Sequence, residues 1–379
     1  MTKEKTMSTE DMEVHSEGVT RVLGAMDKVD QDMEMFEGDD FNQQDHQQDI
    51  WEGNIENLES IDGSEVLAQR FQDLPNELIL KVLSYSRPKD LIRSGQVSKR
   101  LRMISNDKSL WQRVNLSTEI VKTDFLDHIL SKECKRLNLG YSTILGNLSL
   151  DNKSQLRELS LEECFTTNVG VIEEILASCC SLKKLIMPES SMTPKMAASI
   201  CQNSKTLQIL DLYQCDGDQS GYLQIIKCCQ ELKQLDLQNG FPDEELSDEC
   251  LEFIATHVSQ NVETLDLSDL PIKDNHIKVL LIRCKRIKTL SLCATMITDI
   301  SLQMIRKNLN TTLNELSLMI HVDEDKNFWS FTGLLKLKDM PRLRILNLHG
   351  ENEEEDFLNL FLLREQLPHL TINHHYRDF

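Results

Sequence analysis

The chain has 379 residues, enough for two or three modules and a sizeable buried core. Its 62 acidic and 41 basic side chains give a net charge of −21, which disfavours nucleic acid and anionic membranes as partners and favours a basic protein. Apolar content is an ordinary 40%, no apolar run reaches the roughly 18 residues of a membrane span, and the polar start Met1 to Glu10 shows no secretory signal, so the cytoplasm or the nucleus is the expected compartment.

Residues 1–66 form one compositional block. Its basic residues are Lys3, Lys5, Arg21 and Lys28, against a dense acidic set that includes Asp39, Asp40, Asp45, Asp49, Glu52 and Glu56. Such a stretch buries too little apolar surface to offset its ordering entropy, so a disordered acidic arm is expected. Residues 67–113 read as short helices. Leu74-Pro75 places proline at a helix start, and Glu77, Leu78, Ile79, Val82 and Leu83 follow at helical spacing. Arg87-Pro88 breaks that helix, Asp90 suits the cap of a second, and Val97, Leu101 and Ile104 continue an apolar face to Leu110-Trp111. Some forty residues make a poor core alone, so part of this apolar surface is expected to await a partner.

From residue 114 to 379 the sequence repeats. Segments such as Leu156-x-x-Leu159-x-Leu161, Leu207-x-x-Leu210-x-Leu212 and Leu343-x-x-Leu346-x-Leu348 occur in nine phased copies. Their middle leucines lie 24 to 30 residues apart. That period is the signature of leucine-rich repeats. Leucines two apart share one side of a strand, and the residue between them faces the other way. Helical patterns follow the strands, for example Ile172, Ile175 and Leu176, or Ile277, Leu280 and Leu281. Stacking is what buries these leucines, so the expectation is a curved solenoid with parallel strands inside and helices outside. Val114-x-Leu116 and Leu137-x-Leu139 read as less regular early members.

The eleven cysteines lie between Cys134 and Cys293, none as CxxC, so free thiols are expected. Cys179, Cys229 and Cys284 each precede the first apolar position of a repeat by three residues, and Cys164 and Cys215 follow the last by three. This phasing resembles the cysteine-containing subclass of leucine-rich repeats. That resemblance implies buried thiols rather than metal ligands.

The helical segment resembles an F-box. The match runs from Leu74-Pro75-Asn76-Glu77-Leu78-Ile79 through Pro88-Lys89-Asp90-Leu91 and Val97-Ser98-Lys99-Arg100 to Ser109-Leu110-Trp111. With the repeats behind it, the chain is similar to the F-box/leucine-rich-repeat proteins over residues 71–379. The layout and the ending Leu367-Pro368-His369-Leu370 are also similar to their S-phase kinase-associated type. Leu101 stands where that family usually has tryptophan, and Ser86 where an apolar residue is common. The fold expected is therefore α/β, a short all-helical F-box at 67–113 followed by a curved solenoid at 114–379.

The resemblance implies a non-catalytic substrate receptor of a cullin-based ubiquitin ligase. Leu74, Pro75, Leu78, Ile79, Leu83, Leu91 and Trp111 would dock a small adaptor subunit and, through it, a cullin scaffold. A protein-binding scaffold without a ligase role is the other reading, with docking weakened at Ser86 and Leu101. For the partner to be recognised, the exposed strand positions include three successive aspartates, Asp211, Asp236 and Asp266, with Tyr213 beside them. Like charges stacked one strand apart would favour a Lys- or Arg-bearing substrate. Two longer repeats, around Gly240 to Ser247 and Val322 to Thr332, add loops, the second with Phe328, Trp329 and Phe331, and Glu351 to Asp356 read as an acidic loop. No phosphate-cradling glycine loop and no metal-spaced His/Cys cluster is present, and His374-His375 read as surface residues, so no catalytic residue, metal or cofactor is expected.

Overall fold

The structure, a computed structural model, describes residues 71, 73–150, 153–217, 219–240, 246–319, 329–350 and 353–376. The expected acidic arm, Phe328 and most of the Gly240 to Ser247 loop lie outside them. The rest of the chain, Asp73–Phe379, is one compact unit in which F-box and repeats pack together.

Three α-helices open this unit: α1 Asn76–Leu83, α2 Pro88–Val97 and α3 Lys99–Ser105. Pro75 caps α1, as its fixed φ and missing N–H suit. Helix α2 begins two residues before the expected Asp90 cap. Pro88 takes its first position, and Asp90 sits in the first turn between Arg87 and Arg93, 3.0 and 3.6 Å away. Ser98 caps α3 by accepting the Leu101 N–H at 3.1 Å. Arg100 reaches back to the Asn76 side chain at 2.8 Å and to the Leu74 carbonyl, so the Val97 to Arg100 block ties the end of the helical segment to its start. Gly95 lets α2 approach α3, because a Cβ there would lie 2.8 Å from Ser105 Oγ.

The repeats then alternate strand and helix. The main strands are β1 Arg113–Asn115, β3 Arg136–Asn138, β5 Glu158–Ser160, β7 Lys184–Ile186, β9 Ile209–Asp211, β11 Gln234–Asp236, β12 Thr264–Asp266, β13 Thr289–Leu292, β14 Glu315–Met319, β15 Ile345–Gly350 and β16 Thr371–Tyr376. They pair in that order in one parallel, curved sheet of eleven strands. Short outer strands, β2 Ile120–Lys122, β4 Thr143–Leu145, β6 Phe165–Thr166, β8 Ser191–Met192 and β10 Asp216–Gly217, join into two small sheets. The outer helices are α4 Thr123–Ser131, α5 Gly170–Ser178, α6 Pro194–Gln202, α7 Gln219–Cys228, α8 Asp248–His257, α9 Asp274–Arg283, α10 Asp299–Leu309, α11 Phe331–Leu335 and α12 Glu353–Gln366. The acidic run expected as a loop therefore opens α12 from Glu353 onward. No described helix is long and apolar enough to cross a membrane.

The register shows why the sequence repeats as it does. Leu210, Leu235, Leu265, Leu290, Leu316 and Leu346 stand side by side on successive strands, each essentially without solvent exposure. Burying one such leucine contributes about 2 kcal/mol, and each does so only because a neighbouring repeat covers it. The helical pattern residues Ile175, Leu251, Ile277 and Leu280 close the core from outside. A ladder absent from the sequence reading continues beyond the strands. Tyr141, Glu189, Gln214, Asn239 and Asp269 all adopt positive φ, and each N–H donates to a carbonyl of the next repeat at 2.7 to 3.0 Å. A left-handed conformation costs a non-glycine residue about 1 kcal/mol, which the inter-repeat hydrogen bond offsets.

The cysteines divide between core and surface. Cys179, Cys215, Cys229 and Cys284 are buried, Cys164 is half-buried, and Cys180 and Cys228 are exposed. The Cys215 thiol donates to the Met187 carbonyl at 2.8 Å and Cys284 to Ser259 at 3.6 Å, both in the preceding repeat. Burial pushes the Cys134 and Cys284 thiols up to about 11 and Cys215 to about 12, so they pack as small apolar residues.

Candidate functional site: the F-box surface and the concave face

Helix α1 is apolar on two faces. Ile79 and Leu83 turn inward and are buried with Leu91 and Trp111. Leu78 and Val82 turn outward, 51% and 49% exposed, and Tyr85 just beyond the helix is 79% exposed. Positions 78, 82 and 85 fall on one stripe, as the helical period requires. Val97 and Met103 add exposed apolar surface, at 75% and 64%. This divides the expected docking set. Leu78 and Pro75 are exposed and Leu74 half-buried, whereas Ile79, Leu83, Leu91 and Trp111 offer no surface to another chain. These four must pack the F-box itself, because forty residues can bury only a few side chains and need them all. Val97, which continues the apolar pattern of this segment in the sequence, is on the outer face.

Trp111 has a further role. Its indole N–H donates to the Ser105 carbonyl at 2.7 Å, and its ring meets His128 of α4 edge-on at 5.6 Å. Lys89 of α2 reaches Glu119 of the first repeat at 2.6 Å. The terminal tryptophan thus binds the helices to the solenoid. Of the two departures from the F-box pattern, Leu101 and Ser86 are both half-buried.

On the concave face, Asp211, Asp236 and Asp266 stand in register on β9, β11 and β12. Each has a local partner that the sequence reading missed. One carboxylate oxygen accepts the N–H two residues on, from Tyr213 at 3.1 Å, Gln238 at 2.9 Å and Ser268 at 2.8 Å. Asn115 and Asn138 do the same for Ser117 and Gly140 in the early repeats. The slot therefore selects Asp or Asn because a short side-chain oxygen closes the turn. The charges still add up. Partial burial and the Asp266 carboxylate push Asp236 up to about 7, and burial raises Asp211 above the usual carboxylate range. In the later strands the same slot is satisfied internally. Asn347 donates to Glu315 and Ser317 at 2.7 and 3.1 Å, and Asn373 to Asn347 at 2.9 Å. Tyr213 is half-buried beside Asp211.

Trp329 is packed away and meets Phe331 edge-on at 6.1 Å, so that tryptophan is no exposed anchor. His374 and His375, expected as surface residues, belong to β16. His374 is half-buried, and the His375 ring lies 5.3 Å from His349 of β15. Among the described residues no three His, Cys, Asp or Glu side chains converge as a metal site.

Comparison with known proteins matches residues 71–117 to the F-box-like family. A mouse (Mus musculus) protein, F-box/LRR-repeat protein 12, is 28% identical over 147 residues, 38% of this chain and 40% of that relative. The helical segment thus matches the F-box-like family, and the chain is similar to an F-box/leucine-rich-repeat protein. It spans about 40% of the length of the curated relative it matches. The chain carries two distinct surfaces, an apolar stripe on its helical segment and a polar, partly acidic concave sheet.

Proposed function

We propose that this chain is the substrate-recognition subunit of an SCF-type cullin–RING ubiquitin ligase, a receptor without catalytic residues of its own. The observation that carries the reading is the stripe of Leu78, Val82 and Tyr85, joined by Val97 and Met103, on an F-box held against an open concave sheet. An apolar stripe at this spacing on a small helical module fits docking into a groove of an adaptor subunit. Leu74 and Pro75 flank it. Ile79, Leu83, Leu91 and Trp111 support docking indirectly, by holding the stripe in shape.

The concave face takes the substrate in this reading. Asp211, Asp236 and Asp266, with Tyr213, favour a segment bearing Lys or Arg. A cation there would return Asp236 to its charged form, so binding would release a proton and tighten as pH rises through about 7. Two experiments test these surfaces. Leu78→Asp with Val82→Asp in the full chain should abolish co-purification of adaptor and cullin while leaving the melting temperature unchanged. Adaptor capture by neither variant nor wild type, with a known F-box protein capturing it in parallel, would favour a scaffold outside the ligase. Charge reversal at the three aspartates should abolish capture of a basic substrate, and unchanged capture would remove the acidic row from recognition.

A further inference from the structure

We propose that a basic patch on the first repeats, at the edge of the sheet where the main strands begin, binds a short acidic segment of a protein partner. This goes beyond the ligase reading and does not depend on it. The residue just before each main strand belongs to a ladder that crosses the repeats. The Arg157 N–H donates to the Lys135 carbonyl at 2.8 Å, Lys183 to Arg157 at 2.7 Å and Gln208 to Lys183 at 2.9 Å. Lys135, Arg157 and Lys183 therefore stand one strand step apart, about 4.8 Å along the backbone ladder. Arg157 and Lys183 are exposed and Lys135 is half-buried. On the adjoining concave sheet a cavity of about 480 Å3 adds Arg113, Arg136 and Lys184.

Local carboxylates do not cancel these charges. Glu158 and Glu162 line the same cavity; Glu158 is held by Arg136 at 3.0 Å, and Glu162 accepts the Tyr141 hydroxyl at 2.9 Å. Glu133, close to Lys135, is taken up by Lys108 at 2.5 Å. Six cations less the two carboxylates of the cavity leave four positive charges. Among the described residues Arg157, Lys183 and Lys184 make no ion pair. Facing water does not by itself call for such a run, because like charges side by side on neighbouring strands repel. Further along, the same ladder position is neutral at Gln208 and Asn314, Lys233 stands between Gln208 and Glu263, and Lys288 pairs with Glu263 at 2.6 Å. The uncompensated run is confined to the first repeats.

Charge complementarity selects the occupant. The outer cations of the run are two strand steps apart, roughly 10 Å, too far for one small anion to bridge. Nucleic acid is long and uniformly charged, so it would run on from the patch onto the next strand, where Asp211 begins the acidic row, and would be repelled there and by the chain's net charge of −21. A short protein segment bearing several Asp or Glu residues meets the four positive charges and ends where they end.

The probe is a fluorescent glutamate-rich peptide, set against the same peptide with glutamine in place of every glutamate, and binding to purified full-length protein is read by fluorescence anisotropy. The acidic peptide should bind about tenfold more tightly at low salt, since several exposed charge pairs each contribute a fraction of that factor, and the difference should shrink as added salt shortens the screening length. Arg157→Gln combined with Lys183→Gln should remove most of the difference, with an unchanged melting temperature and intact adaptor co-purification. Lys288→Gln, which takes one cation from the paired end of the same ladder, should leave it in place. Equal binding of the two peptides would overturn the proposal. So would wild-type behaviour of the Arg157/Lys183 variant, an equal loss in Lys288→Gln, or tighter binding of a single-stranded RNA of matching charge. Failure of wild type to capture the adaptor would bear on the ligase reading alone.

Discussion

Replacing Asp236 by Asn keeps the side-chain oxygen that accepts the Gln238 N–H at 2.9 Å and removes only the charge. The carboxyl is pushed up to about 7 by partial burial and by Asp266, from an ordinary value near 4. Between these values the folded chain holds a proton that the unfolded chain has released. Folding stability therefore falls as pH rises from about 4 to about 7 and stays at its lower level above that. Three pKa units correspond to about 4 kcal/mol, and solvent screening of a side chain that is only partly covered halves this to about 2 kcal/mol. Asp236→Asn should accordingly be about 2 kcal/mol more stable than wild type near pH 8 and nearly equal to it near pH 4.5. Urea denaturation at the two pH values, with slopes compared to confirm the same unfolding transition, measures the difference. A variant no more stable than wild type near pH 8, or stabilised equally at both, would refute the account of a carboxyl raised by burial and by Asp266.

Ile79→Ala should destabilise the F-box by about 3 kcal/mol, whereas Leu78→Ala should change stability by less than about 0.5 kcal/mol; thermal melts of the two distinguish the inner from the outer face of α1. Trp111→Phe removes the hydrogen bond to Ser105 and weakens the contact with His128, at a cost of about 2 kcal/mol. Hydrogen exchange should then quicken in α3 and α4 and not in the distal repeats. Iodoacetamide under native conditions should label Cys180 and Cys228 first and spare Cys134, Cys215 and Cys284 until the chain unfolds, as read by mass spectrometry.

The repeat fold was legible because its signal is redundant. A strand position such as Leu265 is specified by its own triplet and again by the phase of its neighbours, and the observed register agrees. The F-box was legible in Leu74-Pro75 and in the block from Val97 to Arg100, whose capping and tethering contacts have local sequence causes. The direction in which its apolar residues face was not. Leu78 and Ile79 are adjacent and both apolar, and a helix whose apolar positions cover two faces does not say which is the core. The aspartate row was legible as an alignment, since strand spacing fixes it. Its turn-closing hydrogen bonds lie beside left-handed turns at residues such as Gln214 and Asn239, positions with no glycine to announce them, and the raised value at Asp236 depends on a burial that strand spacing alone does not give. The start of α12 was missed because a cluster of acidic residues suits a helix N-terminus as well as a loop.

The seam between F-box and first repeat sets a leverage. Eleven strands at about 4.8 Å per step carry the far end of the sheet roughly 50 Å from the joint, measured along the sheet. A tilt of five degrees at that joint would swing the last strands by about 4 Å, nearly one full strand step. Whatever lies on the concave sheet is therefore aimed by the few contacts around Trp111, His128, Lys89 and Glu119. Substitutions at this hinge point would alter where a bound segment is presented without touching either surface that holds it.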